Sequence, residues 1–407
     1  MARSRKNNKG RKKQPQKGGN KGPKRNIFTP KFHHNQQTRI GGRYSGILEI
    51  NEKGYGFIRR IDFEFSYDPK DPFLKPEEVK HHDLRSGLVM EGEFEQDQSG
   101  NRHVYSIEKI NRRAPEEWQK INRFELQTPI MPNEYIELGK QPDDLELRVI
   151  DLIAPIGRGQ RALIVAPPRT GKTVLLKKIA RSLTENYPDI HTAILLVDER
   201  PEEVTDFLRT TNAEVFASSN DKPTESHVRI SEMALGYVKR KAEYGGHAVL
   251  LIDSLTRLGR AYNAAQSNSG RTLSGGLDIR ALEIPKKIFG SARKIEGGGS
   301  LTIIATCLIE TNSRMDDLIF EEFKGTGNME LVLDREIAND RIYPAINIAA
   351  SGTRNEDKFI TDSLEERNMV RRFLLKKAPK ESIQMLLQVI RRTESNEELF
   401  SQIAATT

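Results

Sequence analysis

The residues best suited to chemistry lie in three short runs, each at the end of an apolar stretch. The first is Ala-Pro-Pro-Arg-Thr-Gly-Lys-Thr at residues 166–173, between the apolar run Arg161–Ala166 and the helically spaced run Val174–Ala180. A strand, a loop and a helix opening on Gly-Lys-Thr aim backbone N–H groups and the positive end of the helix dipole at phosphate. In such a loop Lys172 reaches the β- and γ-phosphates of a nucleoside triphosphate and the Thr173 hydroxyl ligates Mg²⁺. Arg169, Thr170, Gly171 and Val174 complete the nucleotide-binding residues. Alanine stands at 166, where the usual pattern begins with glycine, so the strict motif is not met.

The second run is Ala248–Ile252, ending in Asp253. A carboxylate at a strand end beside a phosphate loop is where Mg²⁺ needs an acceptor; the plainer reading is an aspartate capping a turn. The third is Thr192–Val197, followed by Asp-Glu-Arg-Pro-Glu-Glu at 198–203. Hydrolysis needs a carboxylate to orient or deprotonate water, and Glu199 is placed for it. Glu202 and Glu203 follow a proline and fit the acidic first turn of a helix. Arg354 sits in a glycine-containing loop, where an arginine donated to a neighbouring subunit's phosphates could lie, but many arginines compete for that role.

These runs imply the elements that position them. Residues 146–350 alternate apolar strands with amphipathic helices, the pattern of a parallel α/β sheet, and residues 361–407 read as C-terminal helices. Upstream, residues 46–112 hold short alternating segments separated by turn signals such as Glu52-Lys-Gly54, the pattern of a small β-barrel. Residues 113–145 form a polar, proline-bearing connector with enough apolar residues to pack. The expected architecture is thus a disordered basic tail (1–45), an OB/cold-shock-like barrel (46–112), a connector (113–145) and a RecA-like P-loop ATPase domain (146–407).

Charge separates the tail from the rest. Residues 1–45 carry 14 Lys and Arg and no Asp or Glu, while the remainder holds 51 basic against 57 acidic residues. Such a tail cannot bury a core, and the expectation is a disordered arm that adds sequence-independent affinity for nucleic acid. The single cysteine, Cys307, excludes a disulfide framework. No apolar run is long enough for a membrane helix. A cytoplasmic protein with no membrane partner is expected.

Longer stretches carry a resemblance. Asp151-Leu-Ile-Ala-Pro-Ile-Gly-Arg-Gly-Gln160, the 166–173 loop with its alanine, Val197-Asp-Glu-Arg-Pro-Glu-Glu-Val204, Asp253-Ser-Leu-Thr-Arg-Leu258 and Glu321-Glu-Phe-Lys-Gly-Thr-Gly-Asn-Met-Glu330 closely resemble the family of bacterial transcription termination factor Rho, over roughly residues 46–400. The resemblance implies a homohexameric ring that hydrolyses ATP with Mg²⁺ between subunits. It implies a 5′-to-3′ RNA/DNA helicase that pulls single-stranded, pyrimidine-containing RNA through its centre and releases the transcript from RNA polymerase. It further implies that Arg354 is the arginine finger, that Arg200 contacts phosphate or couples subunits, and that Tyr343 stacks on adenine. Many relatives carry a small helical subdomain before the barrel; here the basic tail stands in its place.

RNA contacts fall into two sets. Lys53-Gly-Tyr-Gly-Phe-Ile58 looks like the stacking motif of cold-shock and OB-type domains. Tyr55 and Phe57, two apart, present both rings to one strand face, and Arg59 shares that face with a phosphate in reach; two core aromatics are the plainer alternative. Phe73 falls where the family has a further base-contacting aromatic. The second set, Arg271 in the 267–276 loop and Arg314 in Thr311-Asn-Ser-Arg314, is placed at the central pore by resemblance alone. Two other functions compete: an RNA-binding protein switched by ATP without motor activity, and a rotary or secretion-type ATPase sharing the RecA-like core.

Overall fold

Two periodicities organise the chain. The computed structural model describes residues 41–60, 65–266, 276–278 and 280–406; the tail up to residue 40 and the Arg271 loop lie outside them. Short alternating segments close a barrel from β1 (Gly41–Ile50), β2 (Gly56–Arg59), β3 (Phe73–Leu74), β4 (Val89–Gln96) and β5 (Arg102–Ile110), in the order β1-β2-β3-β5-β4. Leu48, Ile58, Leu74 and Met90 fill its interior. The barrel begins earlier than the expected 46. Residues 41–45, assigned to the tail on composition, pair with residues 91–95 of β4.

The connector packs rather than dangles. Trp118 is buried, stacks on Tyr244 at 5.7 Å and donates its indole N–H to Asp83 O (3.1 Å). Phe124 is fully buried and its N–H donates to Glu243 (2.7 Å). Near its end, Leu138 and Gly139 donate to Asp151 of helix α1 (Leu145–Ile153).

The second unit of the chain is a sheet of continuous apolar strands. Its labelled members are β6 (Arg161–Ala166), β7 (Ile190–Glu199), β8 (Glu214–Ser219), β9 (His247–Asp253), β10 (Ser300–Leu308), β11 (Met329–Val332) and β12 (Gly352–Thr353). They run β8-β7-β9-β10-β6-β11-β12, parallel except for the last pair. Both faces are covered, as parallel strands require. Ala162, Ile164, Ile194 and Leu196 face one apolar layer with α2 (Lys172–Asn186) and α3 (Pro201–Thr210), while Leu163, Val165, Leu195 and Val197 face the other with α4 (Thr224–Glu243) and α5 (Leu255–Ala265). The C-terminal helices α7 (Leu364–Leu374), α8 (Pro379–Ile390) and α9 (Asn396–Thr406) follow α6 (Arg314–Lys324), as read from the sequence.

Candidate nucleotide and RNA sites

All three chemical runs end at the carboxyl edge of the parallel sheet, the side where open α/β sheets bind ligands. After β6 the chain wraps tightly through Arg169 (φ 66°) and Gly171 (φ 90°), both left-handed, and Thr170 Oγ1 closes the loop by donating to Pro167 O at 2.8 Å. Glycine is favoured at 171 by that left-handed backbone; the Tyr343 ring beside it would leave an added Cβ ordinary contact room, at 3.6 Å. Helix α2 then starts at Lys172 with its free N–H groups at the loop.

Lys172 bridges the other two runs. Its ammonium pairs with Asp253 Oδ1 and lies 4.0 Å from Glu199 Oε1. Asp253 is fully buried at the end of β9, and Thr306 Oγ1 donates to its Oδ1 at 2.9 Å. At the end of β7 a bulge at Asp198 (φ 55°) shifts the register against β8 and re-aims Glu199. Glu199 is 2% exposed; burial, and then the Asp253 charge, push its carboxyl up to about 7 against the pull of Lys172 and Arg257. That is the range a general base for neutral pH needs.

The residues also fit a Mg²⁺ ion. Asp253 Oδ2 is buried with no hydrogen-bond partner in the protein, a cost of roughly 1–3 kcal/mol that a cation or its hydration water would offset. Thr173, in the first turn of α2, offers a hydroxyl oxygen. Among the described residues no cluster of three or more acids, histidines or cysteines could hold a metal alone. Bound there, Mg²⁺ would neutralise charge building on the phosphates.

Beside the loop lies a cleft of about 440 Å³, lined by Arg169, Gly171, Val174, Leu175, Tyr343 and Leu333 among others. Val174 (58%) and Tyr343 (42%) leave apolar surface exposed in it, as a purine base needs. Arg354 and Arg200 are exposed, and neither lines this cleft. Arg354 is held at the backbone by its N–H to Asn328 O (2.9 Å).

Sequence reasoning missed three residues here. Arg257 Nε lies 3.1 Å from Glu199 Oε1, and its guanidinium also donates to Asp198 O. It stands one helical turn after Ser254, the N-cap of α5, so it points back to the strand ends. Glu146 and Lys178, ion-paired at 2.6 Å, rim the cleft from α1 and α2; no local signal marked them.

The barrel presents an aromatic cluster. Tyr55, Phe57 and Phe73 are each half-buried, with centroids 5.5–5.7 Å apart. Register puts Phe73 opposite Phe57 on one side and His103 on the other, and His103 meets Phe73 edge-on at 5.8 Å. Arg59 does share the face of Phe57, with its guanidinium 4.7 Å from the ring. It is only 4% exposed, however, and is neutralised by Asp71 (2.7 Å) and Glu49 (2.5 Å). The expectation that Arg59 reaches a phosphate meets a competing arrangement here: acids from β1 and the β2–β3 loop hold its Nε and Nη1. Arg314 is exposed at the start of α6.

Residues 146–353 match the ATP synthase alpha/beta family nucleotide-binding domain, and residues 44–116 match the Rho termination factor RNA-binding domain. The transcription termination factor Rho of Pseudomonas aeruginosa is 44% identical over 379 residues, covering 92% of this chain and 90% of its own. The chain belongs to the Rho family. Rho of Haemophilus influenzae (44%, 87% of this chain and 86% of its own) and of Borreliella burgdorferi (44%, 89% and 71%) agree. In this Rho family member the barrel is the RNA-binding domain and the sheet the ATPase domain. An ATPase of a type III secretion system from pathogenic bacteria is similar in structure, with TM-score 0.56 and 23% identity over 68% of this chain and 85% of its own. The ATP synthase subunit NeqB of Nanoarcheaum equitans has TM-score 0.55 and 16% identity over 68% and 76%. At those identities the likeness concerns fold alone. Among the described residues no helix is long and apolar enough to cross a membrane.

Proposed function

We propose that this chain is an RNA-dependent ATPase that terminates transcription: a subunit of a cytoplasmic homohexameric ring that moves 5′ to 3′ along single-stranded RNA, unwinds RNA/DNA and releases the transcript from RNA polymerase. The observation that carries this reading is the union, in one chain, of a buried Lys172–Asp253–Glu199 constellation and an accessible Tyr55–Phe57–Phe73 cluster. Lys172 would turn from Asp253 to the triphosphate, and Asp253 and Thr173 would hold a Mg²⁺ ion that offsets phosphate charge. Glu199 takes the proton of the attacking water. The purine stacks against Tyr343 in the cleft. Arg354, exposed in the single chain, reaches the phosphates of a neighbouring subunit, and Arg200 couples the two. Arg271 and Arg314 grip the RNA backbone in the pore. The basic tail adds non-specific affinity for RNA.

An ATP-dependent assembly switch has no use for a carboxylate raised toward neutrality beside the phosphate loop, and a secretion-type ATPase has none for the barrel. The test is ATP turnover with and without single-stranded RNA. RNA is expected to stimulate the wild type, and Glu199→Gln to bind nucleotide but turn over about 10²–10⁴-fold more slowly. Turnover indifferent to RNA would sink the motor reading. Native mass with RNA and an ATP analogue checks the ring.

A further inference from the structure

We propose that Tyr67 is a further base-stacking residue, continuing the path of single-stranded RNA from the Tyr55–Phe57–Phe73 cluster toward the ATPase domain; this rests on the RNA-binding reading above. Tyr67 is 72% exposed. An exposed tyrosine is unremarkable by itself, but this one is held in place. Two residues earlier Phe65 is 1% exposed and stacks flat on Phe216 of β8, at 4.5 Å and 6°. Arg229 of α4 donates to Phe65 O at 2.7 Å. The Tyr67 ring then packs on two guanidiniums, Arg59 at 4.5 Å and Arg229 at 4.4 Å.

Both guanidiniums donate to the same oxygen, Glu49 Oε2, at 2.5 and 3.0 Å. They therefore converge on one point beside the ring, which stays largely exposed. A ring pinned in this way has little rotamer freedom left to lose when a ligand stacks on it.

The charges identify the ligand. Glu49 and Asp71 already neutralise the two arginines, so the site does not recruit a phosphate by net charge. What it offers is an aromatic face polarised by cations beneath, suited to a planar base. Continuity favours RNA over a protein partner, because the Arg59 guanidinium contacts both Phe57 and Tyr67 and so joins this face to the aromatic cluster.

The test uses the full chain and fluorescently labelled oligocytidine of about 2 to 12 nucleotides, spanning the site sizes of such folds. Tyr67→Ala is expected to match the wild type on the shortest RNAs and to lose roughly tenfold or more in affinity once the RNA is long enough to reach position 67. Tyr67→Phe should behave as wild type, and Phe57→Ala should lose affinity at every length. An equal loss at every length for Tyr67→Ala would assign the ring to the packing of Arg59 and overturn the proposal. So would unchanged RNA affinity at all lengths, including the case where Tyr67→Ala alters the native mass and marks a subunit contact. If the wild type binds none of these RNAs, the RNA-binding reading itself falls, and this inference with it.

Discussion

Glu199 is tuned by residues that arrive from separate segments. Burial and Asp253 raise its carboxyl to about 7, while Lys172 and Arg257 hold it from rising further. If Glu199 is the base, as proposed, it works deprotonated, so RNA-stimulated turnover should rise with pH through about 7 and level off above it. Removing Arg257 takes away a cation that favours the charged form. Arg257→Ala is expected to move the acidic limb of the pH–rate profile to higher pH. The check is kcat against pH for both proteins; a limb that stays in place would deny Arg257 this role. Glu199 was legible as the acid preceding a proline at a strand end. Arg257 was not, because its partner lies on the neighbouring strand, more than fifty residues away in sequence.

Among the elements, α1 is fastened by buried polar groups. Asp151 is 1% exposed, accepts from Leu138 and Gly139, and is pushed by burial to about 7. A folded-state value above the unfolded one means that the protonated form is the better fit. Its contribution to stability is complete below about pH 4 and is lost as pH rises through about 7. Asp151→Asn keeps an acceptor for the connector N–H groups and has no proton to lose. Between about pH 5 and pH 8 the Tm of the wild type should fall relative to the variant, which should be flatter. Thermal denaturation across that range decides; parallel curves would show that Asp151 stays charged. On the same helix Arg148 is fully buried and donates to Ile390 O and to Thr393 O and Oγ1, where a cation suits the carboxyl end of α8. These buried charges gave no sign of themselves in the sequence.

At the scale of the molecule, barrel and ATPase domain meet along α4 of the sheet's cover. Arg229 holds Glu49 of β1, Arg240 donates to Ser86 O at 3.2 Å, and Asn111 donates to Arg240 O at 3.4 Å. Closest of all are two glycines: a Cβ on Gly87 would lie 2.1 Å from the Gly236 carbonyl carbon, and Gly87 is itself left-handed at φ 93°. An alanine there costs roughly 1–2 kcal/mol for the backbone alone, and its methyl must push the barrel off the helix. Gly87→Ala is expected to lower Tm and to split unfolding into two transitions while nucleotide affinity stays the same. Calorimetry with a nucleotide titration checks it, and a single unshifted transition would show the seam to be compliant.

Local chemistry was decided by the sequence itself. A helix that follows a strand and a tight loop leaves its first N–H groups free whatever surrounds it, so the place of Lys172, Thr173 and Asp253 at the carboxyl edge of the sheet could be read from their neighbours. Alternation likewise announced the barrel and the pairing of Tyr55 with Phe57. What depends on partners distant along the chain was not readable. Residues 41–45 look like tail because glycine and serine carry no pattern, until β4 pairs with them. Arg59 looked free because Glu49 and Asp71 are brought to it only by barrel closure. Tyr67 was one aromatic among many until Arg229, from another domain, was placed beneath its ring. Side-chain type and spacing settle what a residue is able to do; only tertiary contact settles whether its donors are already spent and which of its faces is left open.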